Sequence, residues 1–388
     1  VNYIVIKAFR RIFALGKYFH QLNTRVTIVP AGFMLESKTA LTIANDYVNA
    51  ALSKHSEQTG RSRQSRRLSL SDSAGTVAPI GFISHDIGFL SSEVGMYAVA
   101  AAVAHHMGAT EQSELHLQSL RSLLPSCFTS QTPSNLLTGR AGYLYALKFV
   151  LANAGPAAAE IFTPESIAPI YEAIIEDGRR TACDLGLAHR TPLMWRSDNQ
   201  AYLGVSRGAA GILTVLMMWP DGADIEKEVK ATLDFVLEEC KAEDGIWPEV
   251  VSGKDDSAGF FGGQAGIAVC AAKAYEVYQE PRYLNAAMSA AELVWKRGLA
   301  LQKGIGTSGN AYPFLTLFRI TGEAADFERA LALGLACTES EHTANNKIGT
   351  MENSWSLGEG LAGSIWLTAD LTYWQVEVFV GAFGLTDI

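Results

Sequence analysis

One pattern recurs six times between Ile80 and the C-terminus, and it constrains the fold more than any other feature of the chain. Each copy is a cluster of small residues carrying glycine, followed by an apolar run of helical length. The clusters are Ser91–Tyr97, Leu137–Tyr143, Gly204–Ile212, Gly262–Ile267, Gly306–Ala311 and Gly358–Ser364, and the gaps between their final glycines are 47, 69, 55, 43 and 54 residues. Each gap holds two helices and their loops, and no strand-like alternation of apolar and polar residues intervenes. Mixed-charge runs with helical spacing, such as Asp224–Lys241 and Tyr283–Arg297, lie between clusters and read as amphipathic helices.

A nearly all-apolar helix paired with an amphipathic one cannot bury itself alone. Stacking such pairs around a ring buries the apolar members, which is the logic of repeat folds. The apolar runs 141–152, 209–219, 264–278, 309–320 and 361–371 are predicted to form an inner ring, with the mixed-charge helices outside. The fold class is all-α, an α/α toroid built as a double ring. Glycine at each inner-helix N-terminus implies positive φ or close approach of backbone to a neighbour. Free N–H groups and the positive dipole ends then face one mouth of the ring, a place suited to anionic or polar ligands.

Composition fits this reading. Hydrophobic residues make up 48% of the 388 and charged residues 18%, which supports a large core and excludes a disordered regulator. Five cysteines with no CxxC pair exclude a disulfide scaffold. A net charge of -9 argues against nucleic acid as a partner, and no apolar stretch approaches a transmembrane length. The expected location is cytoplasmic. Charge is unevenly spread, at +7 over residues 1–75 and -16 over the remainder. Residues 1–54 read as a basic N-terminal arm with helices, 55–78 as a Ser/Arg-rich linker and 79–388 as the toroid. The first 20 residues suit weak contact with a membrane surface, and Arg66-Arg67-Leu68-Ser69 suits a basic-directed kinase.

The clusters resemble those of the lanthionine synthetase C-like family. The likeness is carried by Leu136-Leu137-Thr138-Gly139-Arg140-Ala141-Gly142-Tyr143, Tyr202-Leu203-Gly204-Val205-Ser206-Arg207-Gly208, Thr307-Ser308-Gly309-Asn310-Ala311-Tyr312 and Ser356-Leu357-Gly358-Glu359-Gly360-Leu361-Ala362-Gly363, over roughly residues 80–375. The resemblance implies an α/α toroid and zinc-assisted addition of a thiolate to a dehydroamino acid. In eukaryotic members the thiol is glutathione and the acceptor a peptide. Such chemistry needs a metal because a thiol ionises only near pH ~8.5 until zinc strips its proton.

The sequence departs from the family where zinc should bind. Phe261 stands where the first ligand Cys is expected, and Gly304-Ile305-Gly306-Thr307 lacks the expected Cys-His pair. Arg207 replaces a family His that suits a general acid, and a permanently charged guanidinium cannot act as one. The resemblance carries Lys303 over as a partner for glutathione carboxylates. Arg207, Arg140 and Glu359 join it at the mouth as substrate-binding candidates.

Cys183 with His189, and Cys337 with His342, are too unevenly spaced for one helix face. Cys270 reads as a core thiol, and His105-His106 as a helix end.

The resulting expectation is a zinc-free relative that binds glutathione or a modified peptide without turnover. One alternative is an active zinc enzyme, should the transcript restore a Cys-His pair between Gly304 and Thr307. Another is a carbohydrate-active toroid using Glu249 with Asp255-Asp256 as paired carboxylates.

Overall fold

The computed structural model describes residues 86–219, 223–242, 245–251, 253, 263–298 and 308–343, with scattered positions in 45–53 and 363–371. Among these the protein is helical, with β structure limited to the bridges Ser197–Gln200 and Tyr202–Val250.

Helices alternate between two layers in chain order. The inner layer is α1 (Glu93–His106), α3 (Arg140–Asn153), α6 (Ala209–Leu216), α8 (Gln264–Tyr278) and α10 (Tyr312–Thr321). The outer layer is α2 (Thr110–Ser122), α4 (Pro156–Ile161) with α5 (Pro164–Asp184), α7 (Ala223–Asp234) continued by a π turn over Phe235–Glu239, α9 (Pro281–Gly298) and α11 (Ala324–Thr343). Each inner helix packs on the next, α1 on α3, α3 on α6, α6 on α8 and α8 on α10. Position 367 continues the arc, since Leu367 is buried and approaches Gly334 of α11. The double ring read from the sequence is the fold, an α/α toroid.

Residue choice explains the layering. Every residue of α6 is buried, and so are Gln264 to Ala274 of α8 without a break. In α5 and α9 the buried positions follow one face while charges occupy the other. Pro starts α4, α5 and α9, where its missing N–H has no helical partner to lose. Left-handed residues stop two inner helices, Gln279 after α8 and Gly322 after α10.

Two buried tryptophans tie the layers at equivalent places. Trp195 donates its indole N–H to the Ile174 carbonyl of α5, and Trp247 donates to the Val236 carbonyl after α7. Around the outside, ion pairs join successive outer helices. Arg179 on α5 meets Glu228 on α7 at 2.7 Å, Arg282 on α9 meets Asp234 on α7 at 2.9 Å, and Arg329 on α11 meets Glu292 on α9 at 3.1 Å.

Val48 and Ala51 are buried, and Ala51 packs with Met96 of α1. Residues 1–44 of the predicted arm and the 55–78 linker lie outside the described residues. Among those described, no helix is long and apolar enough to cross a membrane.

Candidate functional site

Among the described residues, the loops that launch α1, α3 and α6 are stitched to one another, and to the segment around Glu249, by backbone hydrogen bonds. Ile87 N donates to Thr138 O at 3.0 Å, Leu137 N to Ser206 O at 2.9 Å and Leu203 N to Glu249 O at 2.8 Å. Side chains reinforce the seam between α3 and α6. Asn135 donates to Ser197 Oγ at 2.9 Å, and Ser197 in turn donates to the Arg207 carbonyl at 3.1 Å.

The glycines are required for a different reason than positive φ. Gly139, Gly208 and Gly263 are N-caps in extended conformation, at φ -121°, -112° and -130°. What excludes a side chain is close approach. A Cβ on Gly142 would sit 2.3 Å from Leu136 O, and one on Gly211 would sit 1.8 Å from Val205 O. In each case the loop carbonyl six residues upstream is tucked beneath the first helical turn.

That tucking also corrects the expectation of free N–H groups. At α3, Arg140 N donates to Pro133 O and Ala141 N to Ser134 O. At α6, Ala209 N donates to Tyr202 O and Ala210 N to Leu203 O. The loops consume the first donors of both helices, so recognition of a ligand there falls to side chains.

Arg207 is such a side chain. It is 46% exposed and pairs with the more exposed Asp198 at 2.8 Å, so an incoming carboxylate has only a solvated partner to displace. Arg140 is placed differently. It is buried, and its guanidinium donates to Cys127 O at 2.7 Å, to Thr129 O at 3.0 Å and to Ser134 Oγ at 3.2 Å. It holds the end of the 3-10 helix Leu124–Phe128 against the start of α3. Lys303 and Glu359 lie outside the described residues, as do Phe261, Gly304–Thr307, Asp255 and Asp256.

A cavity of about 500 Å³ opens beside the loops, bounded by Asp86, Thr138, Asp177, Arg180, Arg196 and Asp198 among others. Its charges are largely matched. Asp177 accepts from Ser134 at 2.7 Å and from Arg180 at 2.5 Å, while Arg196 pairs with Asp184 at 3.2 Å. Burial pushes the Asp86 carboxyl up, against the opposing hydrogen bonds from Ser91 and the Gly88 amide. Asn135, Ser197 and Asp177 escaped the sequence reading. Only the position of Asn135 just ahead of a glycine cluster hinted at its role.

The profile of the lanthionine synthetase C-like proteins matches residues 32–383. The chain belongs to this family. Two relatives are similar at 31% identity. LanC-like protein GCL1 of Arabidopsis thaliana aligns over 297 residues, 73% of this chain and 67% of the relative. Glutathione S-transferase LANCL1 of Danio rerio aligns over 292 residues, 73% of this chain and 70% of the relative. The solved structure of nisin cyclase is similar at 13% identity with a TM-score of 0.45, covering 78% of this chain and 93% of that one.

The family's zinc is not matched by the donors present. Phe261 and Gly304-Ile305-Gly306-Thr307 offer no thiol or imidazole. Among the described residues no group of at least three His, Cys, Asp or Glu stands together. Burial pushes the thiols of Cys127, Cys240 and Cys270 up to about 12, so they keep their protons at neutral pH. Cys270 sits wholly inside the α8 packing, as a core thiol would.

Proposed function

We propose that this chain binds glutathione or a peptide carrying a dehydroamino acid at the mouth of the ring, without zinc and without turnover. The observation that carries the reading is the loss of all three ligand side chains at the positions that resemble the family's zinc motifs. Without a metal, a bound thiol has nothing to lower its pKa, and Arg207 cannot return a proton to the product carbon. Binding needs only matched charge. Arg207 and Lys303 are the cations for a ligand's carboxylates, Glu359 is a counterpart for its ammonium, and Arg140 anchors the start of α3 beside them. The relative named glutathione S-transferase supports glutathione as the thiol.

Three measurements test this. Purified protein should contain far less than one zinc per chain. It should not accelerate glutathione addition to a dehydroalanine peptide. Titration calorimetry should show glutathione binding that falls about tenfold in Arg207→Ala and Lys303→Ala, the ~1.5 kcal/mol of one charge-assisted contact. Near-stoichiometric zinc, or unchanged affinity in both variants, overturns the reading.

A second reading rests on the same relative: an active zinc enzyme. It returns if sequencing across Gly304–Thr307 restores a Cys-His pair.

A further inference from the structure

The cavity beside the loops holds hydrogen-bond donors that the protein itself leaves unused. Its volume of about 500 Å³ lies in the usual range for a small-ligand pocket. It adjoins the mouth through Asp198, the partner of Arg207. The carboxylates that line it are already engaged. Asp177 accepts from Ser134 through one oxygen and from Arg180 through the other. Asp198 accepts from Arg207, and Asp86 from Ser91 and the Gly88 amide.

The donors are in a different state. Among the described residues Arg180 and Arg196 each give one hydrogen bond, to Asp177 and Asp184, out of the five N–H groups a guanidinium carries. Both line the cavity, with side chains 65% and 37% exposed. Thr181 lines it too and is only 4% exposed, yet its hydroxyl has no hydrogen-bond partner among the described residues. Other helical threonines bond back to the carbonyl four residues earlier, Thr214 to Ala210, Thr232 to Glu228 and Thr321 to Leu317. Ser130 and Gln131 line the same space, exposed and equally without a side-chain partner.

The segment that carries Arg196 is held in shape by its own backbone. Ser197 and Gln200 exchange two hydrogen bonds of 2.9 Å around Asp198 and Asn199, whose φ angles are 48° and 65°. This is a two-residue turn with both central residues left-handed, and Asp and Asn tolerate that region.

Engaged acceptors and spare donors select a ligand rich in acceptors. Three lining carboxylates against two guanidiniums disfavour a multiply charged anion such as phosphate. A peptide with one carboxylate side chain meets both conditions, since its backbone supplies neutral carbonyls. We propose that the cavity holds an acidic residue of a peptide ligand, with Arg180 and Arg196 binding its carboxylate and Thr181 one of its backbone carbonyls. The inference rests on the reading of a peptide as ligand of the mouth, and names what that peptide carries alongside its dehydroamino acid.

The test is calorimetric titration of the full-length protein at low ionic strength with three acetylated, amidated tripeptides. They are Ala-Glu-Ala, Ala-Gln-Ala and Ala-Lys-Ala, none with a thiol or a dehydroamino acid. The Glu peptide should bind about tenfold more tightly than the other two. Arg180→Gln and Arg196→Gln should each weaken it about tenfold. Thr181→Val keeps the shape and removes the hydroxyl. It should weaken binding about fivefold without lowering the unfolding temperature, a split that a purely structural threonine would not show. The proposal is overturned if the Glu peptide does not bind, if the Gln or Lys peptide binds as tightly, or if none of the three variants alters the affinity. A parallel titration with glutathione separates this inference from the broader reading. Glutathione binding without tripeptide binding removes the cavity alone. Tripeptide binding without glutathione binding supports the cavity and removes glutathione from the mouth.

Discussion

The two ends of the inner ring are built on opposite principles. At the mouth, backbone satisfies backbone: loop carbonyls cap the first turns of α3 and α6, and neighbouring loops exchange N–H···O bonds. Positions 142 and 211 are glycine because the Leu136 and Val205 carbonyls leave no room for a side chain. At the base, long charged side chains reach between helices: Glu276 faces Lys273 and accepts from Arg319, and the Lys148 ammonium lies over the Trp219 ring. The mouth is organised for rigidity. The base is tied instead by long side chains, Arg319 of α10 to Glu276 of α8 and Lys148 of α3 to Trp219 after α6.

The sharpest way to break that contrast is to crowd the mouth. Gly211→Ala forces a methyl into the space of the Val205 carbonyl, whose backbone cannot rotate aside. Denaturant unfolding should show a loss of about 3 kcal/mol, the upper range for overpacking. A loss under ~1 kcal/mol would mean the loop is not the rigid seat described here.

A smaller effect is expected from Arg140→Ala. It leaves the Cys127 and Thr129 carbonyls without their donor and should destabilise by about 2 kcal/mol. Arg140→Lys should restore little, since one ammonium cannot span the same acceptors.

The smallest effect, and one of opposite sign, belongs to the base. Lys148→Met removes a cation that burial and Lys273 disfavour, so neutral-pH stability should hold or rise by up to ~1 kcal/mol. The pH dependence follows from the same shift. The folded pKa of Lys148 lies below its ordinary value of 10.5, so the folded state binds fewer protons and stability climbs as pH rises between the two values. That increment should be missing in Lys148→Met. An equal climb in both proteins would remove Lys148 from the account.

The ring was legible in the sequence because its signal is one-dimensional: a glycine cluster and then an apolar run. Runs 141–152 and 209–219 became Arg140–Asn153 and Ala209–Leu216. The reason for the glycines was not legible. Positive φ and close approach demand the same residue, and only coordinates reveal Val205 O lying where a side chain would be. Arg140 shows the same limit, since an arginine beside a helix start suits a ligand and a neighbouring carbonyl equally well. The seam from Asn135 to Ser197 spans 62 residues, and the base contacts draw on helices from three repeats. Neither leaves a local pattern.

The ion pairs around the outer wall carry a consequence for how such a ring can be rearranged over evolution. Each links one outer helix to its successor: Arg179 to Glu228, Asp234 to Arg282 and Glu292 to Arg329. The basic partner lies on the earlier helix in the first pair and on the later helix in the other two, so the girdle is not one motif copied around. Exchanging two repeats would set Arg282 of α9 against residues of α5 instead of Asp234. An isolated exposed pair is worth only ~0–1 kcal/mol, but a transposed repeat disturbs the pairs on both its flanks at once. The wall is therefore an address system that tolerates point changes and resists shuffling of its units.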